Sequence, residues 1–147
     1  MEKNFIRVRS TKDITISLTI TIVGGVLVAL PTATSVNILG FFTIFAGLIL
    51  FLMLRTGYKE TETGIRYSKT ERFFSQTMRN EIAEKIESKP SAVNLNEEDK
   101  GNAVRLDIYY SKQSGKAYIQ LFEYIPYKYE PCSKQLEYEI SETGKLI

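Results

Sequence analysis

The sequence predicts a membrane protein in which an N-terminal two-helix transmembrane hairpin precedes a small cytoplasmic α+β domain, one amphipathic helix against three or four antiparallel strands. Three observations carry this prediction. No Asp, Glu, Lys or Arg occurs between Ile14 and Leu54, whereas both flanks are densely charged. A short turn divides that uncharged stretch into two apolar runs of spanning length. Beyond it, apolar residues recur first at every fourth position and then at every second.

The chain is 147 residues long with 24% charged side chains, averages that by themselves suit a soluble single domain. The distribution overrides them. Three parts follow: a basic cytoplasmic segment at 1–13, a hairpin at 14–54 with helices at 14–30 and 36–54, and a polar domain at 55–147. The formal net charge of +2 is too small to imply nucleic-acid binding, and none is expected. The excess comes from the first segment, where Lys3, Arg7, Arg9 and Lys12 outnumber Glu2 and Asp13; from Arg55 onward acids and bases balance. Cys132 is the lone thiol, which excludes an intramolecular disulfide and fits a reducing compartment.

The two apolar runs, Ile14–Leu30 and Val36–Leu54, would extend roughly 26 and 28 Å as helices, close to the ~30 Å hydrocarbon core of a bilayer. The second is apolar throughout. The first alternates aliphatic residues with Thr and Ser from Ile14 to Ile22, a strand pattern. A lone strand cannot cross a bilayer, because its backbone groups have no partners there. Thr and Ser in a helix can return their hydroxyls to carbonyls one turn back, so helix is the expectation. Pro31–Ser35 reads as an uncharged turn between antiparallel helices. With basic residues before the first span and Arg55 and Lys59 after the second, the positive-inside rule places both termini in the cytoplasm of a multi-pass protein of the cell (inner) membrane. A cleaved signal peptide would share the basic start, but only a poor small-residue site follows, around Thr32 to Thr34.

Small residues at spacing four, Ser17, Thr21, Gly25 and Ala29, suggest a flat helix-packing face on the first span, with Gly40, Thr43 and Gly47 supplying one on the second. The plainer reading is that these faces pack the hairpin's own helices together; the sharper one is that a stripe receives a partner's helix. Neither span holds an ionisable side chain, which argues against ion conduction by this chain alone.

In the polar domain, Ile65 and Tyr67 flank a short extended stretch. Ser68-Lys69-Thr70-Glu71 then has the form of a capping box, and Phe74, Met78, Ile82 and Ile86 recur every fourth residue behind it. This predicts an amphipathic helix from Lys69 to Ser88, ended by Lys89-Pro90. Its mixed polar face suits covering a sheet better than lying on lipid. Ser91–Asn102 is an exposed loop whose acidic run, Glu97 to Asp99, lacks the spacing of a calcium loop. Val104–Tyr110 and Ala117–Ile125 alternate as the strands of a hairpin, with Leu136, Tyr138 and Ile140 as a further strand. So small a core is marginal alone.

No constellation commits to chemistry. Without His and with one thiol, a transition-metal centre is not expected and His-dependent triads are excluded; no phosphate loop is present, so neither metal nor cofactor is expected. The feature with most character is the tyrosine-rich stretch, where Tyr118, Phe122, Tyr124, Tyr127 and Tyr129 form a candidate partner interface. Strands favour aromatic residues anyway, which is the plainer account. The layout resembles that of bacterial membrane proteins in which a pleckstrin-like domain follows a helical hairpin, although those domains run through many strands before a C-terminal helix and here the helix comes early. The expected function is that of a non-enzymatic, membrane-anchored accessory or scaffolding subunit, held in the lipid bilayer and binding a membrane-protein partner or a second copy of itself. A regulator or immunity-type protein acting on another membrane protein, and a membrane-bound enzyme acting on a lipid-associated substrate, are the alternatives.

Overall fold

A computed structural model describes residues 2–31, 33–99 and 101–147. The chain divides into two compact units: Arg7–Tyr58, and the residues up to Ile6 together with Lys59–Ile147.

The first unit is built on helices α1 (Thr11–Ala29) and α2 (Thr34–Met53), both long and apolar enough to cross a membrane. The Thr/Ser alternation in α1 is helical, for the physical reason expected: Ser17 donates to the Asp13 carbonyl at 2.6 Å, Thr21 to Ser17 at 2.9 Å and Thr15 to Thr11 at 3.0 Å. The helix begins three residues earlier than the apolar pattern suggests, because Ser10 and Asp13 form a capping box. Asp13 does more than cap. Its carboxylate also accepts the Thr56 N–H at 2.8 Å and the Thr56 hydroxyl at 2.7 Å, tying the start of α1 to the segment after α2. Of the expected turn, Thr32 lies outside the described residues, while Thr34 and Ser35 already belong to α2.

The second unit is an antiparallel sheet with short helices. The strands are β1 (Phe5–Val8) and β2 (Gly57–Glu60), each of which belongs to this unit only in part, and β3 (Arg66–Phe74), β4 (Val104–Ser111), β5 (Lys116–Ile125), β6 (Lys128–Pro131) and β7 (Leu136–Glu139), which lie wholly within it. They follow the order β1-β2-β3-β4-β5-β6, with β7 pairing with the other half of β5. β1 and β2 are where the chain passes from one unit to the other.

Here the sequence-based expectation needs correction. Ser68–Phe74 is strand, not helix: Ser68 through Phe74 pair residue by residue with Tyr110 through Val104 of β4. The amphipathic helix, α3, is only Arg79–Ser88. The fourfold spacing misled because Phe74 ends its strand on the core face and Ile82 and Ile86 reach the same core from α3. Strands also number more than three or four, since the basic N-terminal segment and the residues after Leu54 supply two of them. The core joins Phe74, Ile82, Ile86, Val104, Leu106, Ile108, Ile119, Leu121 and Leu146. Each such buried aliphatic side chain stabilises by about 1.5–3 kcal/mol. The Tyr138 hydroxyl closes the end of α3 by donating to the Ile86 and Glu87 carbonyls. The 91–102 loop is less free than its polarity implied: Val93 is buried, the Asp99 N–H reaches the Phe73 carbonyl at 2.9 Å, and Arg72 pairs with Glu98 at 3.0 Å; Lys100 lies outside the described residues.

Candidate interaction surfaces

In the hairpin unit the close approach of α1 and α2 runs through Ser17, Thr21 and Gly24 on one helix and Gly40, Ile44 and Gly47 on the other. A Cβ on Gly24 would stand 2.6 Å from the Ile44 nitrogen, and one on Gly40 2.9 Å from the Gly24 carbonyl oxygen. A Cβ on Gly47 would stand 2.8 Å from the Thr21 nitrogen. At these distances nothing larger than hydrogen fits. Gly25, Ala29 and Thr43 are placed differently. A Cβ on Gly25 would meet nothing within 4 Å, Ala29 is exposed, and the Thr43 hydroxyl returns to the Leu39 carbonyl at 2.9 Å. The cause is helix geometry. A strict spacing of four advances about 40° beyond a full turn at each step, so by Gly25 the stripe has rotated about 80° away from Ser17. The seam instead alternates steps of four and three, and Gly24, not singled out from sequence, is its central residue.

The tyrosine-rich stretch also separates into two parts. Tyr118 is only 5% exposed and faces inward among the rings of Phe5, Tyr67 and Tyr109. Phe5 lies flat on Tyr109, centroids 4.2 Å apart and planes within 6° of parallel, and meets Tyr67 edge-on at 5.1 Å. Burial pushes the Tyr118 hydroxyl well above its ordinary pKa. The cover for this end of the sheet therefore comes from the chain's own N-terminus. That N-terminal segment is pinned at Lys3. Its N–H donates to the Gln135 side-chain oxygen at 2.6 Å, its carbonyl accepts from the Gln135 amide at 3.2 Å, and its ammonium bridges Glu60 at 2.9 Å and Glu62 at 2.7 Å. Glu60 is 2% exposed; burial would raise its pKa, but the Thr63 hydroxyl and Lys3 hold it below the usual carboxylate range.

Beside the aromatic cluster the same sheet face carries an ion network. Lys69 bridges Asp107 at 2.7 Å and Glu71 at 2.5 Å, and the Arg105 guanidinium reaches Asp107 at 2.8 Å while lying against the rings of Phe122 and Tyr129. Burial lifts Asp107 despite these cations, and the two carboxylates hold Lys69 above its ordinary value despite burial. These charges pair with one another, and Phe122 and Tyr129 lie against a guanidinium of the same chain.

At the β5–β6 turn the aromatic side chains reach solvent. Tyr124 is 53% and Tyr127 99% exposed. Tyr127 has φ +74°, a conformation disfavoured for any residue with a Cβ, and its N–H donates to the Tyr124 hydroxyl at 3.4 Å. Tyr124 meets Tyr129 edge-on at 5.4 Å, and the Tyr129 hydroxyl donates to the Asn102 carbonyl at 2.7 Å.

Among the described residues no group of three or more His, Cys, Asp or Glu gathers as a metal site. No protein-family model, curated protein or solved structure matches the chain.

Proposed function

We propose that the chain is a membrane-anchored, non-enzymatic accessory or scaffolding subunit: α1 and α2 cross the bilayer with both termini in the cytoplasm, and a protein partner is met through the outer surface of the hairpin and the exposed tyrosines of the β5–β6 turn. One observation carries the anchoring. Leu18, Ile22, Val26, Phe41, Phe42, Phe45, Leu52 and Met53 all stand exposed on the two helices, a continuous apolar surface far larger than soluble proteins leave in water. The glycine seam supports the same reading, since small residues let helix backbones meet closely where lipid gives no hydrophobic drive to association. The flanking cations Arg7, Arg9, Lys12 and Arg55 favour the cytoplasmic side.

Cysteine labelling tests the topology. In a Cys132→Ser background, Ser35→Cys in intact cells should react with a membrane-impermeant maleimide, and Gln113→Cys should react only after lysis. The reverse pattern, or equal labelling of both, would sink the orientation. Purification in mild detergent tests the accessory role, which fails if the chain comes away alone and as a monomer.

A further inference from the structure

The hairpin unit has a charge imbalance that its own residues leave uncompensated. Between Arg7 and Tyr58 there are four cations, Arg7, Arg9, Lys12 and Arg55, and one carboxylate, Asp13. That carboxylate is 2% exposed and occupied by the Ser10 N–H and by Thr56. Among the described residues none of the four cations enters an ion pair. The Asp13–Thr56 bonds and the 3.0 Å contact between the Ser10 and Thr56 hydroxyls gather these cations at one end of the hairpin, around the start of α1 and the exit of α2.

Two of them lie beside aromatic rings. The Arg9 guanidinium lies 4.0 Å from the centroid of Phe51, in the last turn of α2, and Arg7 lies 6.0 Å from that of Tyr58. The Arg9 Nε is buried without a hydrogen-bond acceptor. A guanidinium laid against the rim of an apolar helix, and paired with no carboxylate among the described residues, is a cation prepared for an anion at that level.

We propose that this end of the hairpin binds the phosphate of anionic phospholipid headgroups, with Arg9 as the central contact and Arg7, Lys12 and Arg55 around it. The proposal rests on the reading that α1 and α2 lie in a bilayer. A phosphate-bearing headgroup at the end of the spans has the charge the cluster lacks, and its several oxygens suit the guanidinium fork. Anionic headgroups attract each nearby Lys or Arg enough to change affinity by about fivefold, so all four together carry about six hundredfold.

The test uses the full chain in a neutral detergent and follows thermal unfolding as phospholipid is added. Phosphatidylglycerol should raise the unfolding temperature where phosphatidylcholine does not. Replacing Arg7, Arg9, Arg55 and Lys12 together by Gln should abolish that difference, and Lys12→Gln alone should weaken it about fivefold in lipid concentration. A matched control, in which Lys89, Lys112, Lys134 and Lys145 become Gln, should keep the full response. Equal stabilisation by the two lipids, or equal loss in the control, would overturn the proposal. So would the same effect from inorganic phosphate at the same concentration, since that would assign the site to free anions. Alkaline extraction of native membranes separates this from failure of the anchor: a chain released by alkali is not spanning, whereas one that stays but ignores phosphatidylglycerol refutes the lipid site alone.

Discussion

At the scale of single residues, Tyr127 is where the chain departs most openly from local preference. Its φ of +74° is glycine-like, its side chain is 99% exposed, and it follows Pro126 at the tip of a two-residue turn. A side chain in that conformation costs about 1 kcal/mol, and full exposure returns no packing. Tyr127→Gly should accordingly stabilise the chain by up to about 0.5 kcal/mol in chemical unfolding, since glycine adopts this backbone freely but loses more entropy on folding. A destabilised variant would mean that the Tyr127 ring packs in a way its exposure does not reveal. The position was visible in the sequence as part of an aromatic run, but the run itself was not one surface. Tyr118 sits inside among rings, Phe122 and Tyr129 flank Arg105, and only Tyr124 and Tyr127 face outward. Alternation along one strand tells two faces apart. It does not say which face the distant N-terminus covers.

At the scale of elements, the two apolar helices were legible because their signal is local: length, absence of charge and a turn between. Their packing face was not, because a spacing of four looks like a stripe on paper yet winds around a helix of 3.6 residues per turn. Gly25 and Gly47 illustrate the difference and give a test. A Cβ at Gly47 collides with Thr21 and comes within 3.0 Å of the Ser17 carbonyl, whereas one at Gly25 meets open space. Gly47→Leu should force the helices apart and destabilise the hairpin by about 2 kcal/mol or more, read as a lowered unfolding temperature in detergent. Gly25→Leu should leave that temperature unchanged, so a loss of co-purifying partner in Gly25→Leu reports on an external helix and not on the hairpin. If Gly25→Leu unfolds as early as Gly47→Leu, the seam is misassigned. The misread helix at 69–88 has a similar origin. Lys69 to Phe73 carry cross-strand partners such as Asp107 that lie far away in sequence, and no window along the chain contains them.

At the scale of the whole chain, the polar domain is not a C-terminal appendage. Its sheet takes residues from both sides of the hairpin, and Phe5 and Lys3 reach it from before α1. Phe5 covers Tyr67, Tyr109 and Tyr118, while Lys3 joins the Gln135 amide to the buried Glu60 carboxylate. Removing this segment would uncover three rings and leave Glu60 without its cation, a loss on the scale of a core truncation. Phe5→Ala in the full chain should therefore lower stability by about 1–3 kcal/mol, less than for a fully enclosed Phe because the ring is only partly buried. The stronger form of the prediction concerns dissection. Residues 59–147 alone should unfold at lower denaturant than the same segment joined to residues 2–6 through a flexible Gly/Ser linker that replaces 7–58. The Phe5→Ala change introduced into that fusion should remove most of the difference. Equal stability of the two soluble forms would show that the N-terminal strand merely rests on the domain. The expected gap would show that residues 2–6, although separated from the rest of the domain by the whole of 7–58, are an integral part of its fold.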